Sequence, residues 1–147
     1  MCTLAQTLSS QNIDAAIARY TSPAGGLSAR GLVTLHGVRW LLAQSSFPFK
    51  CYTVGLGAQD DAGFDVVASN ESGARLIGEA ADVSPTAFRS HQHTLLKKLW
   101  RDEADAEFRI LIVNYAAVAQ APPEALPANQ WLIAVDVHDG TATAMRG

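Results

Sequence analysis

The chain has 147 residues, 48% of them hydrophobic and 17% charged, enough apolar side chain for one buried core and too much for a disordered polypeptide. A net charge of −3 argues against a protein that coats nucleic acid over its whole surface. No apolar run approaches the roughly 18–20 residues that span a bilayer, the N-terminus lacks a basic and apolar leader, and Cys2 and Cys51 alone give no disulfide framework. One reduced, cytoplasmic domain over residues 1–147, without membrane contact, is the expectation.

The charge is unevenly spread. Up to residue 58 one acid, Asp14, faces four bases, Arg19, Arg30, Arg39 and Lys50, a net of +3, whereas thirteen acids face seven bases over the remainder, a net of −6. Such a split suits a basic face for phosphates and an acidic cluster for a cation, or is chance scatter among few charges.

Residues 10–20 have helical spacing, with Ser9 or Ser10 as cap, Ile13, Ala16, Ile17 and Tyr20 on one stripe, and Ser22-Pro23 and Gly25-Gly26 beyond the end. A second helix fits 28–43, with Leu32, Leu35, Val38, Leu42 and Trp40 as its apolar side, although Gly31 and Gly37 weaken it. After Phe47-Pro48 the pattern turns to strands: 49–56, 64–69 and 75–83 make a three-stranded meander, with a loop over 57–63 and a turn at 70–73. Ser84 then caps a helix that has Pro85 at its first position and runs to about residue 102. Residues 108–115 are a nearly continuous apolar run, as in a strand buried on both faces. A Pro-rich connection over 122–127 leads to a last strand at 130–137. The predicted order is α-α-β-β-β-α-β-β, an α/β (or α+β) domain with a central mixed sheet flanked by helices.

Strand alternation puts Asp65, Val67 and Ser69 on one face and Ile77, Glu79 and Ala81 likewise. If the turn is a three-residue loop, Glu71-Ser72-Gly73 with Gly73 left-handed, Asp65 lies directly opposite Glu79. A slip of one residue separates them. Opposed carboxylates repel unless they face solvent or are neutralised by a cation; magnesium, an oxygen-seeking ion, fits such a pair. On the following helix the stripe Phe88, Leu95, Leu96 and Leu99 faces the sheet and Lys97 faces solvent. Gln92 falls inside that stripe, where its amide needs backbone partners or borders a polar site. His91 and Lys98 share a flank, while the spacing of His91 and His93 does not suit a metal pair. Phosphate-loop, nucleophile-elbow and Cys-x-x-Cys motifs are absent, and Cys51 reads as a buried inert thiol.

The order helix, three strands, helix, strand, with Phe64-Asp65-Val66-Val67 and Leu76-Ile77-Gly78-Glu79-Ala80-Ala81 as half-motifs, resembles the PD-(D/E)xK nuclease superfamily, the restriction-endonuclease-like fold, over residues 28–115. The resemblance implies that Asp65 and Glu79 bind magnesium and that Gln92 stands at a helix position where several branches carry glutamine. It also implies a water-positioning lysine two residues after the second acid. Ala81 occupies that place, and the first helix lacks the glutamate that many active members supply. Lys98, His91 or Lys50 would have to replace the lysine. Two functions follow: a magnesium-dependent endonuclease-type phosphodiesterase with Asp65, Glu79, Gln92 and Lys98 as catalytic residues, or a nuclease-fold module that has lost catalysis and binds nucleic acid or a protein partner. A cytosolic interaction domain unrelated to nucleases is a third alternative.

Overall fold

Seven strands form one mixed sheet whose spatial order is their order in the chain. The computed structural model describes residues 5–21, 28–55, 64–99, 106–119, 126 and 130–146. Along the chain the elements are β1 (Ala5–Ser9), α1 (Ile13–Thr21), α2 (Ala29–Ala43), β2 (Cys51–Gly55), β3 (Val66–Ser69), β4 (Arg75–Ala81), α3 (Pro85–Leu99), β5 (Phe108–Asn114), a 3-10 turn (Tyr115–Ala117), β6 (Gln130–Asp136) and β7 (Thr141–Arg146). Strands β1 to β4 pair antiparallel, β4, β5 and β6 are parallel, and β7 returns antiparallel on β6. A parallel neighbour requires a crossover, and α3 supplies the one between β4 and β5.

The mixed α/β sheet is the expected class, but two strands, β1 and β7, lie outside the predicted order. Both are edges. Leu8 is buried in β1, whereas no residue of β7 is, so pairing rests on the backbone and leaves little hydrophobic pattern to detect. The turn before β7 does carry a signal, Asp139-Gly140 with Gly140 at φ +74°. The start of α1 also differs: Asn12, not Ser9 or Ser10, accepts the first helical bond, from Ala16 N–H at 3.0 Å. The Asn12 side chain accepts from Ser9 N–H and donates to Thr7 O, tying the helix to the end of β1.

Both faces of the sheet are covered. On one, α2 packs over a core that includes Leu35, Val38, Leu41, Tyr52, Ile110 and Ile112; on the other, α3 covers Ile77, Ala81, Leu111, Val113 and Leu132 with Phe88 and Leu99. The alternation of Ile110 and Ile112 against Leu111 and Val113, all fully buried, is what the apolar run of β5 predicts for a strand between two layers. Lys97 is exposed, as expected; the side chain of Leu95 and residues 100–102 lie outside the described residues. No helix among the described residues is long and apolar enough to cross a membrane.

Helix α2 begins where Ser28 Oγ accepts from Gly31 N–H at 3.1 Å. Its buried residues are Gly31, Val33, Thr34, Leu35, His36, Gly37, Val38 and Leu41, whereas Leu32, Trp40 and Leu42 of the predicted stripe are half-buried. Lying between the sheet and α1, the helix is buried on more than one side, so no single stripe marks it. Gly37 is a packing requirement rather than a weakness: a Cβ there would stand 2.6 Å from Ile112 Cγ2.

Two outcomes follow from this packing. Gly37→Ala gains about 1 kcal/mol of helix propensity but overpacks Ile112 at a cost of about 1–3 kcal/mol. A net loss of stability is expected in denaturant melts, with Gly37→Ala/Ile112→Val less destabilised than the two single changes added together. His36, beneath the Gly140 turn, is buried, and its Nδ1 has no partner among the described residues. Burial first, and the nearby Arg39 charge second, hold its pKa below the ordinary 6.5. The folded state therefore binds fewer protons than the unfolded one below that value. The stability is whole above about pH 6.5 and drains as pH falls towards the lower folded pKa. Unfolding free energies between pH 7 and 5 should fall more steeply for the parent than for His36→Gln.

Candidate functional site

The β3–β4 hairpin determines which residues meet. Asn70 Oδ1 accepts from Ser72 N–H, Ser72 Oγ and Ala74 N–H, and Asn70 N–H donates to Ala74 O at 3.2 Å. That closes the three-residue loop 71–73, with Gly73 at φ +91°, a conformation in which a side chain is strained. The ladder pairs Val66 with Gly78, Val67 with Ile77 and Ser69 with Arg75. Asp65, the residue before β3, thus comes level with Glu79, as the three-residue loop predicts.

The two acids are joined through backbone as well as register. Asp65 N–H donates to Glu79 Oε2 at 3.1 Å, and Ala80 N–H donates to Asp65 Oδ2 at 2.9 Å. On the other side, Gly55 N–H donates to Asp65 O at 2.9 Å, so Asp65 is held from both neighbouring strands. Glu79 is only 5% exposed. The charge of Asp65 is met by Arg30, in the first turn of α2, whose Nη1 lies 2.7 Å from Asp65 Oδ1. A guanidinium therefore supplies positive charge to an acid pair that needs either solvent or a cation.

Sequence reasoning did not single out Arg30, although a signal exists. A cation in the first turn of a helix opposes the helix dipole, and α2 has no acid there to offset it; such a residue needs an anion from elsewhere in the fold. The predicted basic face is correspondingly reduced, since Arg30 pairs with Asp65 and Arg39 with Asp14.

Other expected site residues fall at different levels. Gln92 is 4% exposed on the sheet side of α3, and its Nε2 has no hydrogen-bond partner among the described residues. Leu99 O accepts from Arg109 Nε, and Arg109 pairs with Ile77. Counting seven helical residues back from Leu99, roughly 10 Å, brings Gln92 roughly level with Glu79 to Ala81. Lys98 lies in the last turn of α3, about two strand residues back along β4 from Glu79; its side chain and that of His91 are outside the described residues. Lys50 precedes β2, at the opposite end from Gly55 and Asp65, roughly 16 Å away along the strand, too far to serve the acids. Ala81 is buried on the α3 face. Cys51 is exposed rather than buried, because Tyr52 and Val54 take the core side of β2. Away from the acids, towards the 70–74 turn, Cys51, Thr53, Val67, Ala68, Ser69 and Arg75 line an open depression of about 320 Å³ that neither acid lines.

Chemically, the cluster offers two hard carboxylate donors and a guanidinium. Among the described residues no group of three His, Cys, Asp or Glu could hold a metal, so a cation at the pair would draw its remaining ligands from water or phosphate, a coordination that suits magnesium. The Arg30–Asp65 pair, 22% and 18% exposed, should give a coupling of about 1–3 kcal/mol in a double-mutant cycle. The Arg39–Asp14 pair, 50% and 79% exposed, is the built-in control and should give less than about 1 kcal/mol. In comparisons with known proteins, no family model, no curated protein and no solved structure matches the chain, so the chemistry of the site has to be read from its own atoms.

Proposed function

We propose that the chain is a restriction-endonuclease-like nuclease in which Asp65 and Glu79 hold a magnesium ion against a phosphodiester of DNA or RNA. The observation that carries this reading is the convergence of the two acids at one level of the β3–β4 ladder, with Glu79 Oε2 on Asp65 N–H. The succession α2, antiparallel β2–β3–β4, α3, then β5 parallel to β4 supports the fold assignment. The donor set fits the ion: a carboxylate offers about four lone-pair sites, and the contacts of Asp65 with Arg30 and Ala80 take two of them. A bound magnesium would act as a Lewis acid on the phosphoryl oxygen and acidify a water. Asp65, fixed by Gly55 and Ala80, and Glu79 would orient the ion, and the Gln92 amide would donate to a water or phosphate oxygen. Lys98 would supply the cation that Ala81 does not.

A second reading is favoured by Ala81, whose methyl group cannot position water, and by the guanidinium already on Asp65. It is a nuclease-fold module that has lost hydrolysis and binds nucleic acid or a protein partner. One experiment separates the two. At a magnesium or manganese concentration ten times Kd the melting temperature of the parent should rise by about 3–6 °C, labelled DNA or RNA should be cleaved, and Asp65→Asn/Glu79→Gln should lose both effects. A thermal shift without cleavage selects the second reading. No shift at millimolar metal removes the metal site.

A further inference from the structure

We propose that Arg30 is a phosphate-binding residue that competes with the metal for Asp65, so that divalent cation and phosphate anion bind this site cooperatively. The inference rests on the metal-site reading above and adds the order in which the charges must be satisfied. With both carboxylates ionised, Asp65, Glu79 and Arg30 carry a formal charge of −1. A divalent cation alone changes this to +1 and sets the ion beside a guanidinium on the same carboxylate, two cations repelling each other in a partly buried place. A phosphodiester brings the sum to zero. It also offers Arg30 two anionic oxygens that the planar fork of a guanidinium can bind together.

The geometry permits the exchange. Arg30 is anchored at its backbone, which accepts from Thr34 Oγ1 at 2.8 Å, in a helix fixed by the Ser28 cap. Its side chain is 22% exposed where it meets Asp65, so the head group is within reach of an anion that arrives from solvent. Asp65 stays in place when released, because Ala80 N–H and Gly55 N–H hold its other oxygens. Independently, the buried Gln92 Nε2, roughly level with Glu79 to Ala81, has no acceptor among the described residues. A phosphate oxygen or a metal-bound water supplies one.

Linkage makes the coupling reciprocal: whatever factor the anion adds to metal affinity, the metal adds to anion affinity. The test measures manganese binding to the intact chain by electron paramagnetic resonance of the free ion, with sodium sulfate as a tetrahedral anion that is not hydrolysed and with chloride at matched ionic strength as control. Sulfate should tighten manganese binding to the parent at least about fivefold. Arg30→Gln should bind manganese at least about fivefold more tightly than the parent without sulfate, and sulfate should then have no effect. Asp65→Asn should abolish binding. Equal affinities of parent and Arg30→Gln, with no response to sulfate, would overturn the competition while leaving the metal site standing. Failure of both to bind manganese would remove the metal-site reading itself. The sulfate arm on the parent stands without any variant, so an Arg30→Gln chain that fails to fold does not leave the question open.

Discussion

Everything at this site depends on the register of one hairpin. Because side chains alternate along a strand with period two, a slip of one residue between β3 and β4 would turn Leu76 and Ala80 out of the α2 core and Ile77 and Ala81 out of the α3 core. Asn70 prevents that slip by tying Ser72 and Ala74 to one carboxamide oxygen. The acids are thereby delivered to one level by the same constraint that sorts apolar residues between two layers. Site and core share a cause.

The charge arrangement shows how the sheet tolerates two acids so close. Each carboxylate accepts from backbone belonging to the other strand: Glu79 from Asp65 N–H, Asp65 from Ala80 N–H. Arg30 adds a full positive charge from a different layer of the fold. Strand β3 begins at Val66, so Asp65 lies just before it, where Arg30 of α2 can reach a carboxylate that is also tied to Glu79 and Ala80.

How much of this is legible in the sequence follows the distribution of burial. Helix α3, strand β5 and the β3–β4 turn are readable because each has a single strong signal: a Ser-Pro start, four consecutive fully buried aliphatics, and a glycine where φ must be positive. Strands β1 and β7 are not, since edge pairing leaves Thr, Ala and Ser largely unburied. The face of α2 is misread for the opposite reason, burial on several sides. Asp65 and Glu79 emerge from turn length and alternation, both local properties. Arg30 does not, because its partner lies thirty-five positions away and only the packing of α2 brings them together.

Arg109 carries a consequence for how the molecule opens. Its guanidinium donates to Leu99 O, a carbonyl that the end of α3 would otherwise leave unpaired, and to Ala106 O just before β5, while its own carbonyl accepts from the fully buried Gln130 at the start of β6. Peeling α3 away would break the bond from Arg109 to Leu99 O together with the apolar contacts of Phe88 and Leu99 on the sheet. Losing a charge-assisted hydrogen bond and a core layer at once makes such an intermediate costly. Amide protons of α3 and of the three parallel strands therefore belong to one cooperative unit and exchange together, whereas the edges β1 and β7 are free to fray on their own.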